Sequence, residues 1–447
     1  MKVTLIQPTI GRVGDKKLRR PWTLEPLSLA VIAGVTPKDI EVVFYDDRIE
    51  DIDYNDQTDL VGISVETSTA LRAYEIALHY KKLGIPVIMG GIHPTLLPEE
   101  VSMYADVVVS GCAEKLWPQI LNDFKIGKLK KFYKEESLNL NNIVIDKSIF
   151  RNKKYFPVSL IEFGRGCPFQ CDFCDIPIYF NGKYGSRPIE NLITDIKKSG
   201  RDLFMIVDDN IGSYPKDLYD FCIAIKPLKI KWVTQTSITL ANNEELLNLM
   251  ALSGCLGVLI GFESIEATNL KSMNKGFNQQ IPFEVAINRF NKRGMRIYGS
   301  FIVGYDHDTV ESMNRLVEFA IKQKLFVANF YPLTPIPRTP LYLRLQKEGR
   351  LIKEKWWLDY GHRYGDIVFH PAKMTNIEIA RACEDIKKVF YSAKNILKRG
   401  LGSESSLGNF KATLGYFGMN ILTRRELLIK GQTFLGYEKT LLNIINK

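Results

Sequence analysis

Three cysteines packed into one short stretch are the feature of this sequence most able to do chemistry: Gly166-Cys167-Pro168-Phe169-Gln170-Cys171-Asp172-Phe173-Cys174. Thiolates separated by three and then two residues on one loop can wrap a cuboidal metal cluster. A purely structural iron–sulfur cluster takes four protein ligands, and structural zinc also takes four. Only three are offered, and no further Cys or His sits at zinc-finger spacing. Three ligands leave one metal position open, which is what a substrate-binding or catalytic centre keeps. The other four cysteines (Cys112, Cys222, Cys255, Cys383) are scattered singly. An odd number with one tight cluster is unlike a secreted disulfide framework and fits a metal site in a reducing compartment.

The triplet must be held at the end of something. It directly follows Val158–Phe163, the first of six strand-like apolar runs. The others are Leu203–Val207, Lys231–Thr234, Gly257–Ile260, Arg296–Val303 and Val327–Tyr331, with helical stretches between them. Six βα units suit a parallel barrel or partial barrel, whose active site lies at the strand carboxyl ends. Polar groups wait at those ends: Asp208-Asp209-Asn210, Gln235-Thr236-Ser237 and Gly261-Phe262-Glu263-Ser264. Any one of them could be an ordinary structural cap. Their shared placement is what favours function.

Residues 1–125 show a second alternating series, with strand-like runs at Val3–Gln7, Glu41–Tyr45, Leu60–Ser64, Val87–Met89 and Val107–Val109, and a helix at Ala70–Leu83. Continuous apolar strands separated by helices mean a parallel sheet covered on both faces. Ligands of such sheets sit beyond the strand carboxyl ends. The informative residues are therefore Gln7-Pro8, Asp46-Asp47-Arg48, Val65-Glu66-Thr67-Ser68, Gly90-Gly91-Ile92-His93-Pro94-Thr95 and Gly111-Cys112-Ala113-Glu114. No GxGxxG follows the first strand, so a nicotinamide site gains little support. Singly, each of these turns is equally well an ordinary βα turn. Residues 126–156, polar and rich in Lys and Asn, read as a linker with a little local structure. Residues 341–447 read as mainly helical, with aromatic clusters at Trp356-Trp357 and Tyr360.

The composition, 45% hydrophobic and 25% charged, is globular. No run of 18 or more apolar residues suggests a membrane span. The start, Met1-Lys2-Val3-Thr4-Leu5-Ile6, runs straight into a buried strand rather than a signal peptide, so a cytoplasmic location is expected. The net charge of +10 is concentrated after Leu341, where 19 Lys and Arg face 10 Asp and Glu. Such a tail is either a solvated basic surface or one attracted to anionic lipid, a polyanionic substrate or nucleic acid.

The CxxxCxxC after the first barrel-type strand resembles the signature of the radical S-adenosylmethionine superfamily. That resemblance implies a partial (β/α)6 barrel in which Cys167, Cys171 and Cys174 hold a [4Fe-4S] cluster, whose open iron binds S-adenosylmethionine. Phe173 would flank the adenine, and Asp208 and Asp209 would contact the methionine moiety. Gln235, Glu263 and Ser264 end the third and fourth strands of the same site, with Glu263 accepting hydrogen bonds from the ribose. A one-electron donor such as flavodoxin or ferredoxin is implied as a partner.

The turns of residues 1–125, with Glu25-Pro26-Leu27, Pro98-Glu99-Glu100 and the glycine turn before His93, resemble the cobalamin-binding domain that precedes many such enzymes. The implied cobalamin contacts are Gln7, Pro8, Glu66, Thr67, Ser68, Gly90, Gly91, His93 and Gly111. Two departures stand out: the family's Gly-Glu appears as Gly111-Cys112-Ala113-Glu114, and the DxHxxG motif that supplies an axial histidine is absent. Cobalamin is therefore expected to rest on the loop Val65–Ser68 without a histidine ligand, with His93 as a pocket or helix-capping residue. Residues 341–400, including Phe369–Thr375 and Phe390–Lys394, resemble the C-terminal extension of the branch with the hopanoid C2-methylase and archaeal lipid ring-forming enzymes.

The expected fold is thus α/β: a Rossmann-like doubly wound parallel sheet (1–125), a linker (126–156), a partial (β/α)6 barrel (157–340) and a mainly α-helical C-terminal extension that shapes the substrate cavity (341–447). The implied activity is methylation of an unactivated carbon through a 5′-deoxyadenosyl radical and methylcobalamin. The rivals are a cobalamin-binding cyclase or oxidative rearrangement enzyme, and a non-catalytic cobalamin and cluster sensor. The substrate is an organic molecule whose class (lipid, peptide or metabolite) stays open, with peripheral membrane contact tied to the lipid case. Nucleic acid is disfavoured, because a tRNA methylthiotransferase would carry an N-terminal three-cysteine domain and only Cys112 precedes the triplet.

Overall fold

The computed structural model describes residues 1–18, 23–141, 143–400 and 410–438. The apolar runs of the first part form six parallel strands: β1 (Lys2–Gln7), β2 (Glu41–Asp46), β3 (Leu60–Ser64), β4 (Val87–Gly90), β5 (Val107–Gly111) and β6 (Phe132–Glu135), in the order β2-β1-β3-β4-β5-β6. Helices cover both faces, so side chains pointing either way along a strand are buried. Ile6, Val61 and Ile63 pack under α2 (Ala70–Lys82), and Val3 and Leu5 pack against Leu29, Ala30 and Ala33 of α1 (Leu27–Val35). The strand order reverses direction at β1 and β3, and a crevice opens at such a switch point.

β6 lies inside the segment expected to be a linker. It is a polar edge strand in which only Tyr133 is buried, and such edges carry no apolar run to announce them.

Six further parallel strands follow in simple sequence order: β7 (Ser159–Ile161), β8 (Leu203–Ile206), β9 (Lys231–Thr236), β10 (Cys255–Glu263), β11 (Arg296–Val303) and β12 (Val327–Pro332). This open, barrel-like sheet encloses the largest hydrophobic core, including Trp232, Phe262, Phe301 and Phe330.

The C-terminal part divides between the two sheets. α3 (Asn376–Phe390) packs Ala382, Cys383, Ile386 and Phe390 onto the barrel, whereas Trp356, Trp357, Val368 and Leu435 join the core of the N-terminal sheet. α4 (Ala393–Gly400) and α5 (Phe410–Lys430) follow, and β13 (Phe434–Leu435) pairs antiparallel with Gly11–Val13 near the start of the chain. The final part of the basic tail, 439–447, and 401–409 lie outside the described residues. Among the described residues no helix is long and apolar enough to cross a membrane.

Candidate active site between the two sheets

The cysteine loop leaves β7 and is pinned on every side by its neighbours. Gly166 adopts φ +91°, and a Cβ there would lie 2.0 Å from the Lys183 carbonyl oxygen, so only glycine fits. Its N–H donates to Asp209 Oδ2 at 2.7 Å. Asn274 Nδ2 donates to the Gln170 carbonyl at 2.7 Å, the Leu341 N–H to that of Asp172 at 2.9 Å, and the Tyr305 hydroxyl to the Asp172 carboxylate. Asn210 Nδ2 lies 3.6 Å from Cys167 Sγ. All three cysteines are free thiols. Burial pushes the Cys171 thiol up to about 11, with Lys275 pulling the other way. Among the described residues no three Cys, His, Asp or Glu side chains converge on one metal ion. A cuboidal cluster does not require that, since each thiolate binds a different iron. The donor set, three unpaired thiols on one rigid loop, fits a [4Fe-4S] cluster.

Two cavities meet at this loop. The first, of about 330 Å³, lies at the crevice of the N-terminal sheet. Its floor is apolar (Leu5, Ile63, Val109, Trp117), its rim is Glu66, Gly90, Gly91 and Gly111 to Glu114, and its barrel-side wall holds Glu162, Arg165, Tyr179 and Asp209. At Gly91 (φ +111°) a Cβ would sit 2.8 Å from the Val65 carbonyl oxygen, so the two βα turns nearly touch. No histidine lines this cavity among the described residues. The apolar floor and glycine rim fit a large cofactor laid across the strand ends.

The second cavity, of about 440 Å³, lies where four parts of the chain meet. Glu66, Thr67 and Ser68 come from the N-terminal sheet, Phe173 and Asp175 from the cysteine loop, Ile302 and Tyr331 from β11 and β12, and Trp356, His362, Lys387 and Leu427 from the C-terminal part. Glu66 lines both cavities.

The residues expected at the site separate into those that face these spaces and those that do not. Glu66, Thr67, Ser68, Gly90, Gly91, Gly111, Phe173 and Asp209 line one cavity or both. Gln7 ends β1 and Pro8 follows it, and neither lines a cavity. Asp208 turns both carboxylate oxygens onto the Phe163 and Gly164 N–H groups at 2.8 Å, clamping the start of the cysteine loop. Gln235 donates to the Asp209 carbonyl at 3.1 Å. Ser264 accepts from the Glu266 N–H and the Asn269 amide, as a local cap. His93 is fully buried and lines neither cavity, with Nε2 3.0 Å from the Tyr74 hydroxyl and Nδ1 3.3 Å from Oγ1 of Thr67, a residue of the second cavity's wall.

Glu263 sits at φ +62°, where the β10–β11 register breaks, and its carboxylate is paired with Lys275 Nζ at 2.9 Å. Lys275 also lies 5.7 Å from the Phe173 ring. Nothing in the turn Asn274-Lys275-Gly276 announces it. Arg165, also absent from the expected set, bridges the sheets: its guanidinium pairs with Glu114 at 2.5 Å and Glu162 at 2.8 Å and approaches Cys112 Sγ at 3.6 Å. A charged residue beside Gly-Cys was the one available signal.

An open parallel barrel with a three-cysteine loop on its first strand, facing a doubly wound sheet with a cofactor crevice, defines a radical S-adenosylmethionine enzyme with a cobalamin domain. Sequence comparison agrees: residues 161–320 match the Radical SAM superfamily and residues 20–121 the B12 binding domain. The chain is 29% identical over 391 residues to bacteriochlorophyllide d C-12(1)-methyltransferase of Chlorobaculum tepidum, covering 84% of this chain and 85% of that one. The C-8(2)-methyltransferase of the same organism is 31% identical, covering 74% and 78%. The hopanoid C-2 methylase of Rhodopseudomonas palustris is 25% identical, covering 74% and 66%. In fold, the chain superposes on the radical S-adenosylmethionine methyltransferase TsrM from Kitasatospora setae, solved with cobalamin and a [4Fe-4S] cluster, with TM-score 0.69 at 14% identity, covering 96% and 99%. The chain belongs to the cobalamin-dependent radical S-adenosylmethionine methyltransferases. Its cofactors are a [4Fe-4S] cluster, S-adenosylmethionine and cobalamin, and its chemistry is C-methylation of an organic substrate with electrons from an external reductant.

Proposed function

We propose that the second cavity is where the substrate carbon meets the methyl group, and that its occupant is a large, mostly apolar organic molecule. The observation that supports this is that one space is lined at once by the N-terminal loop Glu66–Ser68, by Phe173 of the cysteine loop and by the C-terminal part. Radical methylation needs the corrin face, the adenosyl group and the substrate within contact distance, and this is the space all three can share. Cys167, Cys171 and Cys174 would hold the cluster, Phe173 would flank the adenosyl group, and Glu66 with the glycine turns at 90–91 and 111 would hold the corrin without a histidine below it. When bound, these cofactors supply the adenosyl radical and the transferable methyl group.

The protein's own contribution is placement. Asp208 and Asp209 fix the cysteine loop, Arg165 fixes one sheet against the other, and the aromatic walls keep water from the radical. The cobalamin-binding unit extends to Glu135, because β6 completes its sheet. The named relatives act on bacteriochlorophyllide d and hopanoids, both large and apolar, and an occupant of that kind suits Tyr331, Leu333, Ile336 and Trp356. A peripheral lipid contact is supported by α5, which exposes Leu414 and Ile421 beside Arg424 and Arg425. A flavodoxin or ferredoxin as donor rests on the family resemblance, and a cytoplasmic location on the seven free thiols.

The test is anaerobic reconstitution with iron, sulfide and hydroxocobalamin. About four irons and one cobalamin per chain are expected, followed by a search for products heavier by one CH2, about 14 Da. Iron without cobalamin would remove the methyl carrier.

A further inference from the structure

The cysteine loop is a thin wall. Phe173 and Asp175, at its far end, line the second cavity, whereas Pro168 and Gln170, between the first two thiols, are exposed to solvent. Phe169, midway between Cys167 and Cys171, stacks half-buried on Phe277, with ring centroids 3.7 Å apart and planes 11° from parallel. Two segments frame this outer face. A Cβ on Gly182 would lie 3.2 Å from the Gln170 amide nitrogen, and Asn274 Nδ2 donates to the Gln170 carbonyl at 2.7 Å. Each segment brings an exposed lysine. Lys183 follows Gly182, and Lys271, in the last turn of the helix Ala267–Ser272, accepts the Asn274 N–H on its carbonyl at 3.1 Å.

Neither lysine is in an ion pair among the described residues. Lys183 Nζ donates to the backbone carbonyl of Glu136 at 2.9 Å, and the Glu136 carboxylate is paired with Lys134 at 2.6 Å. The acids nearest the loop are engaged as well: Asp172 accepts from the Tyr305 hydroxyl, and Asp306 is held by Arg344 and Arg350 at 2.7 and 2.8 Å. The outer face of the loop thus carries an aromatic pair and two uncompensated cations.

We propose that this face is where the electron donor docks, and that the donor is a flavodoxin, a small acidic protein with one edge of its flavin exposed. The inference rests on the three cysteines holding the cluster. Electron transfer weakens steeply with distance, and the exposed residues of this loop are covalent neighbours of the ligands. Carboxylates of the partner would meet Lys183 and Lys271, and the apolar flavin edge would lie against the Phe169–Phe277 pair. Redox encounters bury little surface and are steered by complementary charge. One electron leaves the reduced flavin and enters the cluster; no bond is made or broken, and the flavin keeps its protons. Docking on the solvent side leaves the second cavity free for substrate.

The test uses the reconstituted holoenzyme under anaerobic conditions, a bacterial flavodoxin, and a bacterial ferredoxin as comparator. Affinity is read by calorimetry with the oxidised donor, and cluster reduction by rapid-freeze EPR with the reduced one. Lys183→Glu/Lys271→Glu should weaken flavodoxin binding about tenfold and flatten its salt dependence. Phe277→Ser should slow reduction by flavodoxin. In both variants the iron content and the reduction of the cluster by dithionite, which needs no docking, should match wild type. Lys197→Glu/Lys198→Glu, the same charge change on the helix Ile189–Ser199, should bind flavodoxin as wild type does. No flavodoxin binding, binding of ferredoxin in its place, wild-type affinity in the Lys183/Lys271 variant, or a wild-type reduction rate in Phe277→Ser overturns the proposal. A wild-type cluster that fails to assemble overturns instead the reading of the cysteines, and the docking face falls with it.

Discussion

Lys275 and Glu263 form a buried ion pair, Nζ to Oε1 2.9 Å, beside the cysteine loop, and neither makes another ion pair among the described residues. Removing one partner strands the other. Lys275→Met should therefore destabilise the protein by about 3–5 kcal/mol, the usual cost of an uncompensated buried charge. The double variant Lys275→Met/Glu263→Met should recover most of that, because an apolar pair replaces the ionic one. Cleavage of S-adenosylmethionine should stay low in both, since the charges facing the cluster loop are gone. Urea midpoints together with 5′-deoxyadenosine yield separate the two effects. A double variant that cleaves like wild type would make the pair purely structural.

This pair also marks the limit of what the sequence discloses. All twelve principal strands but β6 announce themselves as apolar runs, because a strand covered on both faces must be apolar throughout. The cysteine triplet is legible because its spacing is covalent: the loop is too short to place those thiols anywhere but together. Lys275 is brought to the cluster loop by the turn after β10, and a lone lysine in a turn looks like any solvated lysine. Glu263 is singled out by its place at a strand end, but its partner is invisible, so its carboxylate looks free when it is paired with Lys275. Asp208 and Ser264 share the same strand-end signal and serve the backbone. Side-chain direction at a strand end is a tertiary fact. The return of β13 to Gly11–Val13 is likewise beyond a local pattern, at two residues long.

Glu100 should give the protein an acid-sensitive joint. Burial alone would raise its carboxyl, but hydrogen bonds from His93 and Trp357 hold it down at about 2. Trp357 Nε1 and the Tyr74 hydroxyl both donate to Oε1, at 2.8 and 3.1 Å, joining the C-terminal part to the N-terminal sheet. A depressed carboxylate stabilises the fold fully above its unfolded value, about 4.3, and that contribution disappears as pH falls towards 2. The amount at stake is about 3 kcal/mol. Urea unfolding of cluster-free protein from pH 6 to pH 2.5 should show Glu100→Gln less stable at the upper end and converging on wild type at the lower. A gap constant with pH would remove Glu100 from the account.

Gly91 should be a cofactor-specific position. A side chain there meets the Val65 carbonyl oxygen at 2.8 Å and suffers an unfavourable φ, so Gly91→Ala must push apart the turns after β3 and β4. Those turns border the first cavity and are remote in sequence from the cysteines. The variant should keep about four irons per chain while its cobalamin content falls. Loss of iron and cobalamin together would point to general misfolding instead.

Arg165 joins the two halves of the catalytic machinery, so its loss should uncouple them. The residue stands two positions before Cys167, and its guanidinium reaches Glu114 in the turn after β5 of the N-terminal sheet and Glu162 just after β7. Arg165→Met leaves two carboxylates facing each other across the sheet–sheet boundary without a cation, and their repulsion should shift one sheet against the other. The cysteine triplet and the residues proposed to meet S-adenosylmethionine, Phe173, Asp209 and Glu263, belong to the barrel part of the chain, so on that proposal radical generation needs no such alignment. Methyl transfer does need it, and small misplacements of reacting atoms can cost up to about a hundredfold in rate. The expected phenotype is abortive turnover, in which 5′-deoxyadenosine forms near the wild-type rate while methylated product per 5′-deoxyadenosine falls about tenfold or more. Both quantities come from one anaerobic assay by mass spectrometry. If they fall in parallel, Arg165 supports the cluster loop alone and the alignment of the sheets has another origin.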